Sequence, residues 1–258
     1  MLRFRSLGSG STGNATLVEA TSGGRTSRLL VDCGFALRHL DARLAHAGLA
    51  ACDIDAVFIT HEHGDHIGCA HALSRRERIP VWMSEGTWLA TGGRDFQGRL
   101  NLARDGLEIV VGDLLVQPFT VPHDAREPLQ LRCTDGARSL GILTDLGHAT
   151  PHVLSRLMQL DALLLEFNHD SDMLAGSAYP PFLKMRVGGN YGHLSNIAAA
   201  AIARAVCHPG LRHVVGAHLS EQNNRPEVVR RAMAEALGAS EHEMLTATAA
   251  EGSPWLDL

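Results

Sequence analysis

The stretch "FITHEHGDHIG", residues 58–68, sets three histidines and two acids within six consecutive positions directly behind a short apolar run. Alternate side chains of an extended segment share one face, so His61 and His63 can point at one ion while Glu62 turns away. Gly64 then permits a tight turn, and Asp65 and His66 offer a carboxylate and an imidazole to a second point a few ångströms off. A catalytic zinc site needs only three protein ligands plus water, so a loop offering four predicts two divalent ions about 3.5–4 Å apart. Zinc is the first expectation for such a mixed set, with manganese or iron as the alternatives. Surface histidines at a helix start, capped by Asp65, would explain neither the ligand types nor their place behind a strand.

Around this loop the chain reads as strands and helices in alternation. Strand-like pieces fall near 2–6, 14–20 and 28–32, a helical pattern near 36–47, and the apolar run at 56–60. "GCAHALSRRER" suits a helix, "IPVWM" a strand, and 85–92 another helix. Strand-sized segments follow at 107–119, 128–134, 138–144 and 161–167. The last third holds a helix at 194–206, the strand "LRHVVGAHLS" and the helix "RPEVVRRAMAEAL", which has Pro in its first turn. Strands in the middle with helices flanking both halves predict a layered α/β protein with two sheets, a single domain over 1–258.

Composition narrows the class. The chain has 258 residues, 45% apolar and 20% charged, and 15 histidines stand out. A net charge of −5 and the lack of any long basic run leave out the electrostatic footprint of a tight nucleic-acid binder. Two bound divalent ions would nonetheless make one spot strongly positive. Cys33, Cys52, Cys69, Cys133 and Cys207 are scattered, with no C-x-x-C, which predicts thiols in a reducing compartment. No signal-peptide core or membrane span is visible, so a cytoplasmic protein with no membrane partner is expected.

"THEHGDH" resembles the signature of the metallo-β-lactamase superfamily, whose four-layer αββα sandwich carries its metals at one sheet edge. The resemblance implies further ligands downstream, and "FTVPHDA", "GILTDLG" and "HVVGAHLS" supply His123, Asp145 and His218. On that basis His61, His63 and His123 bind one ion, Asp65, His66 and His218 the other, and Asp145 both. His148 lies close to Asp145 in sequence, competes with His123 for the first ion, and otherwise backs the ligands. Asp32 in "LLVDCG" matches a superfamily carboxylate that orients a ligand histidine, or else it caps the following helix.

"GGNYGHLSNIAAAA", residues 188–201, is similar to the stretch that leads into an Ala-rich helix in the phosphodiesterase branch, which includes tRNase Z. The likeness makes His193 the general acid for an alkoxide leaving group, and Asp65 is counted with it as catalytic. A helix-start histidine packed on Tyr191 is the plainer alternative. The "HLS" of residues 218–220 matches the same branch, placing Ser220 near substrate. Gly192 and the Gly-rich "SLGSGSTGN", with Ser9 and Gly10, offer backbone close to a phosphate. Lys184, Arg186 and Arg225 are the candidate phosphate-contacting cations, and Asn168, His169 and Asp170 form a loop with no assigned role.

Motifs spread from residue 7 to 224, including "LLLEFNHD", "YPPFLKMRVGGNYGHLSN" and "AHLSEQNN", resemble the YycJ/WalJ type of bacterial metallo-hydrolase. That type implies a 5′-to-3′ exonuclease on duplex DNA, linked to mismatch repair, and related phosphodiesterases form homodimers. The Gly/Pro-rich arm with which tRNase Z grips tRNA is missing. The alternatives are hydrolysis of a small phosphodiester or of a thioester or lactam. A di-iron redox role is disfavoured because His63 stands where such proteins carry a carboxylate.

Overall fold

A computed structural model describes all residues from Met1 to Leu258. Fourteen strands form two sheets of seven. The first sheet contains β1 (Leu2–Gly8), β2 (Ala15–Ser22), β3 (Arg25–Val31), β4 (Ala56–Phe58), β5 (Val81–Ser84), β6 (Leu100–Ala103) and β14 (Leu256–Asp257), in the order β14-β1-β2-β3-β4-β5-β6. The second contains β7 (Ile109–Val111), β8 (Leu114–Thr120), β9 (Leu129–Thr134), β10 (Ser139–Leu143), β11 (Ala162–Glu166), β12 (His213–Ala217) and β13 (Leu245–Thr246), ordered β13-β12-β11-β10-β9-β8-β7. Each sheet is half antiparallel and half parallel.

Nine helices complete the chain: α1 (Leu37–His46), α2 (Gly64–Ile67), α3 (Ala70–Glu77), α4 (Glu85–Ala90), α5 (Pro151–Arg156), α6 (Ser171–Gly176), α7 (Pro181–Val187), α8 (Asn196–Val206) and α9 (Pro226–Leu237).

Strand alternation builds the layers. Leu29, Val31, Ala56 and Phe58 point inward and meet Leu131, Ile142, Leu164 and Val215 of the other sheet in a central core. Their neighbours Leu30, Val57 and Ile59 point outward, where Leu40 and Leu44 of α1 and Leu73 of α3 cover them. On the second sheet Leu163, Leu165 and Val214 are covered by Val153 of α5, Ile202 of α8 and Val229 and Met233 of α9. Both faces of each sheet are therefore dry, which gives the four-layer αββα sandwich expected from the sequence.

The strands and helices anticipated from the apolar patterns are present within two or three residues at the ends, except that 107–119 is a hairpin of two strands, β7 and β8, turning at Gly112 and Asp113. The elements not anticipated are β6, β13 and β14 and the short helices α2, α5, α6 and α7. No helix is long and apolar enough to cross a membrane.

Candidate metal centre and active-site cavity

Residues His61 to His66 leave the C-terminal end of β4, and α2 begins at Gly64 as the sequence predicted a turn there. The loops after β8, β10 and β12 and the end of β11 meet at the same rim, bringing His123, Asp145, His218 and Glu166 to it. His61, His63 and His123 form one cluster with ligand atoms mutually within 4.8 Å, and Asp65, His66 and His218 form a second. His61, His66 and Asp145 form a third that links the two.

Hydrogen bonds decide which ring nitrogen each histidine presents. Nδ1 of His66 donates to Asp32 Oδ2 at 2.8 Å, Nδ1 of His123 to the Gly192 carbonyl at 3.0 Å, and Nδ1 of His218 faces Glu166 Oε1 at 3.3 Å. Nδ1 of His61 stands 3.0 Å from Thr60 Oγ1, a hydroxyl also 2.9 Å from Asp32. Because these partners can accept, each Nδ1 is placed to carry a hydrogen and each Nε2 turns into the cluster, where it can hold a metal once deprotonated. His63 alone presents Nδ1, 3.0 Å from His61 Nε2 and 3.3 Å from His123 Nε2. A tetrahedral site with Zn–N near 2.1 Å has ligand edges of roughly 3.4 Å, so these spacings suit shared coordination rather than hydrogen bonding.

Asp145 Oδ2 is buried with no hydrogen-bond partner, although His66 Nε2 stands 2.9 Å away. A buried carboxylate oxygen left without a hydrogen-bond donor, among these histidine clusters, fits a cation. The residues thus suit divalent metal ions.

Burial and charge tune the groups in opposite directions. Burial, with the neighbouring His66, holds the His61 ring neutral, and burial likewise lowers His123. Burial alone would raise Asp65 and Asp145, but hydrogen bonds and charges from His218 and His66 hold both well below the usual carboxylate range. Burial would lower His218 too, yet Asp145, Asp65 and Glu166 push it up to about 9.

The clusters open into a cavity of about 380 Å³ lined by His63, Asp65, Asp145, His193, His218 and Ser220 among others. His193 stands in its wall with Nδ1 2.7 Å from Glu166 Oε1 and 3.2 Å from Asp145 Oδ1, and its Nε2 has no intramolecular partner. Burial would lower its pKa, but Glu166 and Asp145 raise it well above the ordinary value. A recess of about 440 Å³ lined by Arg5, His39, Arg43 and His46 shares no residue with this cavity.

Several expected positions prove different in detail. His148 is exposed and joins neither metal cluster; its Nδ1 reaches the Asn190 carbonyl at 2.8 Å, which tethers the loop before His193 instead. Ser9 and Gly10 lie behind the wall rather than on it. Ser9 Oγ accepts from the His218 backbone N–H at 2.8 Å, and Gly10 N–H donates to Asn14 Oδ1 at 2.9 Å; Ser11 is the residue of that loop on the cavity. Gly192 does line the cavity, but a Cβ there would collide with the Arg186 and Val187 carbonyls, so its lack of a side chain is required by the protein's own backbone. Asp32 is buried at φ 60°, accepting from both Thr60 N and Oγ1 and from His66. Arg225 bonds the Glu221 and Asn224 carbonyls and Lys184 the Ala175 carbonyl, leaving Arg186 as the single Lys or Arg on the cavity wall. Asn168 lines the cavity and donates to the His218 carbonyl at 3.1 Å, while Asp170 caps α6.

Sequence reasoning overlooked Glu166, fully buried beneath His193, and Asn14, whose N–H donates to the Asp65 carbonyl at 2.8 Å. Glu166 had a visible signal as the acid that ends an otherwise apolar strand, "ALLLE".

Residues 8–170 match the model of the Metallo-beta-lactamase superfamily. The chain is 33% identical over 239 residues to exodeoxyribonuclease YycJ of Bacillus anthracis, covering 92% of this chain and 89% of that protein. It is 31% identical over 245 residues to exodeoxyribonuclease WalJ of Streptococcus pneumoniae, covering 93% and 89%. The fold matches the crystal structure of the metallo-beta-lactamase fold protein YhfI from Bacillus subtilis with a TM-score of 0.76 at 16% identity, each chain covered fully. With this sandwich, this rim of histidines and carboxylates, and relatives of that identity along nearly its whole length, the chain belongs to the metallo-β-lactamase superfamily, alongside its YycJ and WalJ members.

Proposed function

We propose that the whole chain is one domain acting as a metal-dependent phosphodiesterase, a nuclease that removes nucleotides from the 5′ end of duplex DNA. The observation that carries the reading is His193, held on Glu166 in the cavity wall with Nε2 free of any protein partner. In this reading His61, His63 and His123 would hold one ion, Asp65, His66 and His218 a second, and Asp145 would serve both, with zinc or manganese the fitting metals. When bound, the ions would supply a water acidic enough to attack near neutral pH and positive charge against a phosphate oxygen. Asp65 would orient that water.

His193 has the complementary task. An alkoxide leaving group needs a proton as the P–O bond breaks, and an imidazolium kept charged by Glu166 can deliver it from Nε2. A thiolate leaving from a thioester has no such need. The names of the YycJ and WalJ relatives support DNA as the substrate, and five cysteines without a disulfide suit a cytoplasmic setting.

The sparse positive charge, one arginine on the cavity wall, favours a second reading in which the substrate is a small phosphodiester. Leaving-group dependence tests the chemistry common to both. His193→Ala slows DNA hydrolysis by about 10²–10⁴-fold. Hydrolysis of bis(p-nitrophenyl) phosphate suffers far less, because p-nitrophenolate departs without a proton. Equal losses on both substrates, or DNA cleavage left unaffected, reject the acid role, and turnover of neither substrate by the unmodified metal-loaded protein rejects the phosphodiesterase reading.

A further inference from the structure

Phe182 is the anomaly of the surface. The other six phenylalanines, at 4, 35, 58, 96, 119 and 167, are at most 7% exposed, whereas Phe182 is 68% exposed. Met185 at 70% and Tyr191 at 63% accompany it within ten residues. α7, which carries the first two, contributes no buried residue at all. Its position is kept by polar ties instead: Lys184 Nζ to the Ala175 carbonyl, Arg186 Nε to Asp124 Oδ2 at 2.6 Å, and the His193 N–H to the Val187 carbonyl at 2.8 Å.

The helix is also part of the cavity. Leu183, Arg186 and Val187 line it, with Tyr179 just ahead of the helix and Gly192 and His193 just beyond. Phe182 lies four residues before Arg186, so on a helical surface the two are neighbours, and Tyr191 directly precedes the cavity residues Gly192 and His193. Lys184, the chain's only lysine, and Arg186 sit among these side chains.

We propose that Phe182, Met185 and Tyr191 form a stacking surface for nucleobases at the mouth of the metal cavity. The inference rests on the nuclease reading above and deepens it. A phosphate drawn to the metal end leaves its base and the neighbouring bases outside, against the lip. Flat or polarizable apolar side chains suit the π-faces of bases of any sequence, and the guanidinium of Arg186, bound to Asp124 through Nε, keeps its terminal nitrogens for a backbone phosphate. The strip adjoins the cavity mouth, so a second copy seated on it would obstruct entry, which favours nucleic acid as the occupant. This surface also supplies grip that a chain of net charge −5 does not obtain from electrostatics.

The test compares Phe182→Ala, Tyr191→Ala and Phe182→Trp with the unmodified metal-loaded protein. Bis(p-nitrophenyl) phosphate reports the chemistry alone, a duplex with a short 5′ overhang reports substrate use, and 2-aminopurine in that overhang reports stacking by its fluorescence quenching. Stacking predicts small-diester turnover within about twofold of the parent and a KM for DNA raised about tenfold in each Ala variant. The same variants lose 2-aminopurine quenching, and Phe182→Trp retains both DNA KM and quenching. An unchanged DNA KM in both Ala variants overturns the proposal, as does an equal loss on both substrates. A shift from dimer to monomer in sedimentation assigns the surface to a second copy and also overturns it. If the unmodified protein cleaves the small diester but no DNA, the nuclease reading itself falls and the stacking surface with it.

Discussion

The Nδ1 of His193 stands 2.7 Å from Oε1 of Glu166, a carboxylate with no solvent exposure. The other oxygen, Oε2, accepts from the backbone N–H groups of Leu146 at 2.8 Å and Leu194 at 3.2 Å, so the acid that orients the imidazole is itself held by two loops. Glu166→Gln keeps the shape but removes the charge. Since Glu166 raises the His193 pKa against the pull of burial, the variant loses the imidazolium at lower pH. The alkaline limb of kcat for DNA is expected to move toward acid, read on protein loaded to the parent's metal content because Glu166 also faces His218 Nδ1 at 3.3 Å. A profile that keeps its alkaline limb would separate Glu166 from the proton transfer.

Asp32 binds Thr60 and His66 together, fixing one proposed ligand directly and His61 through the Thr60 hydroxyl. Asp32→Ala leaves these donors buried without an acceptor. Metal affinity, read by competition with a chromogenic chelator, is expected to fall about 10- to 100-fold. Asp32→Asn recovers part of it, as asparagine tolerates the left-handed backbone at φ 60°. Unaltered affinity in the Ala variant would show that Asp32 does not orient the ligands.

Metal uptake by the chelated protein should release protons. His66 is raised above its ordinary value and His218 to about 9, burial being outweighed by Asp145 and the other carboxylates, so both carry protons near neutral pH. A raised pKa means that acid competes with the metal, and affinity therefore falls as pH falls. Calorimetric titrations in two buffers of different ionisation heat give the count. At least one proton released per chain is expected, and none would contradict the assignment of His66 and His218 as ligands.

Gly192→Ala tests how the first cluster is held. The new methyl meets the Arg186 and Val187 carbonyls, and relief requires movement of the Gly192 carbonyl that anchors His123. A loss of about 1–3 kcal/mol in stability is expected, together with weaker binding of one metal ion and not the other. Loss of both ions in parallel would point to global loosening.

Much of this was legible in the sequence because metal chemistry concentrates its signal. "THEHGDH" packs four proposed ligands into one loop, and His123, Asp145 and His218 each stand just past a recognisable apolar strand. The sheets were equally readable, since runs such as "LLV" and "ALLLE" are apolar on both faces. The rest depended on contacts between distant segments. Nothing near His148 reveals that it reaches Asn190, 42 positions on, and nothing local tells Ser9 from Ser11 as the residue facing the cavity. The short edge strands β13 and β14 have two residues each, too few for a periodicity to register. The helix α7 buries nothing, so it lacks the apolar stripe that exposes a helix to pattern reading.

Digestion of duplex DNA labelled separately at its 5′ and 3′ ends, by protein whose metal content has been measured on the same preparation, tests the central claim most directly. The account predicts about two divalent ions per chain, early release of the 5′ label as mononucleotide, and loss of both ions and activity on chelation. One or no ion per chain, or two ions with both labels left on intact duplex, would contradict it.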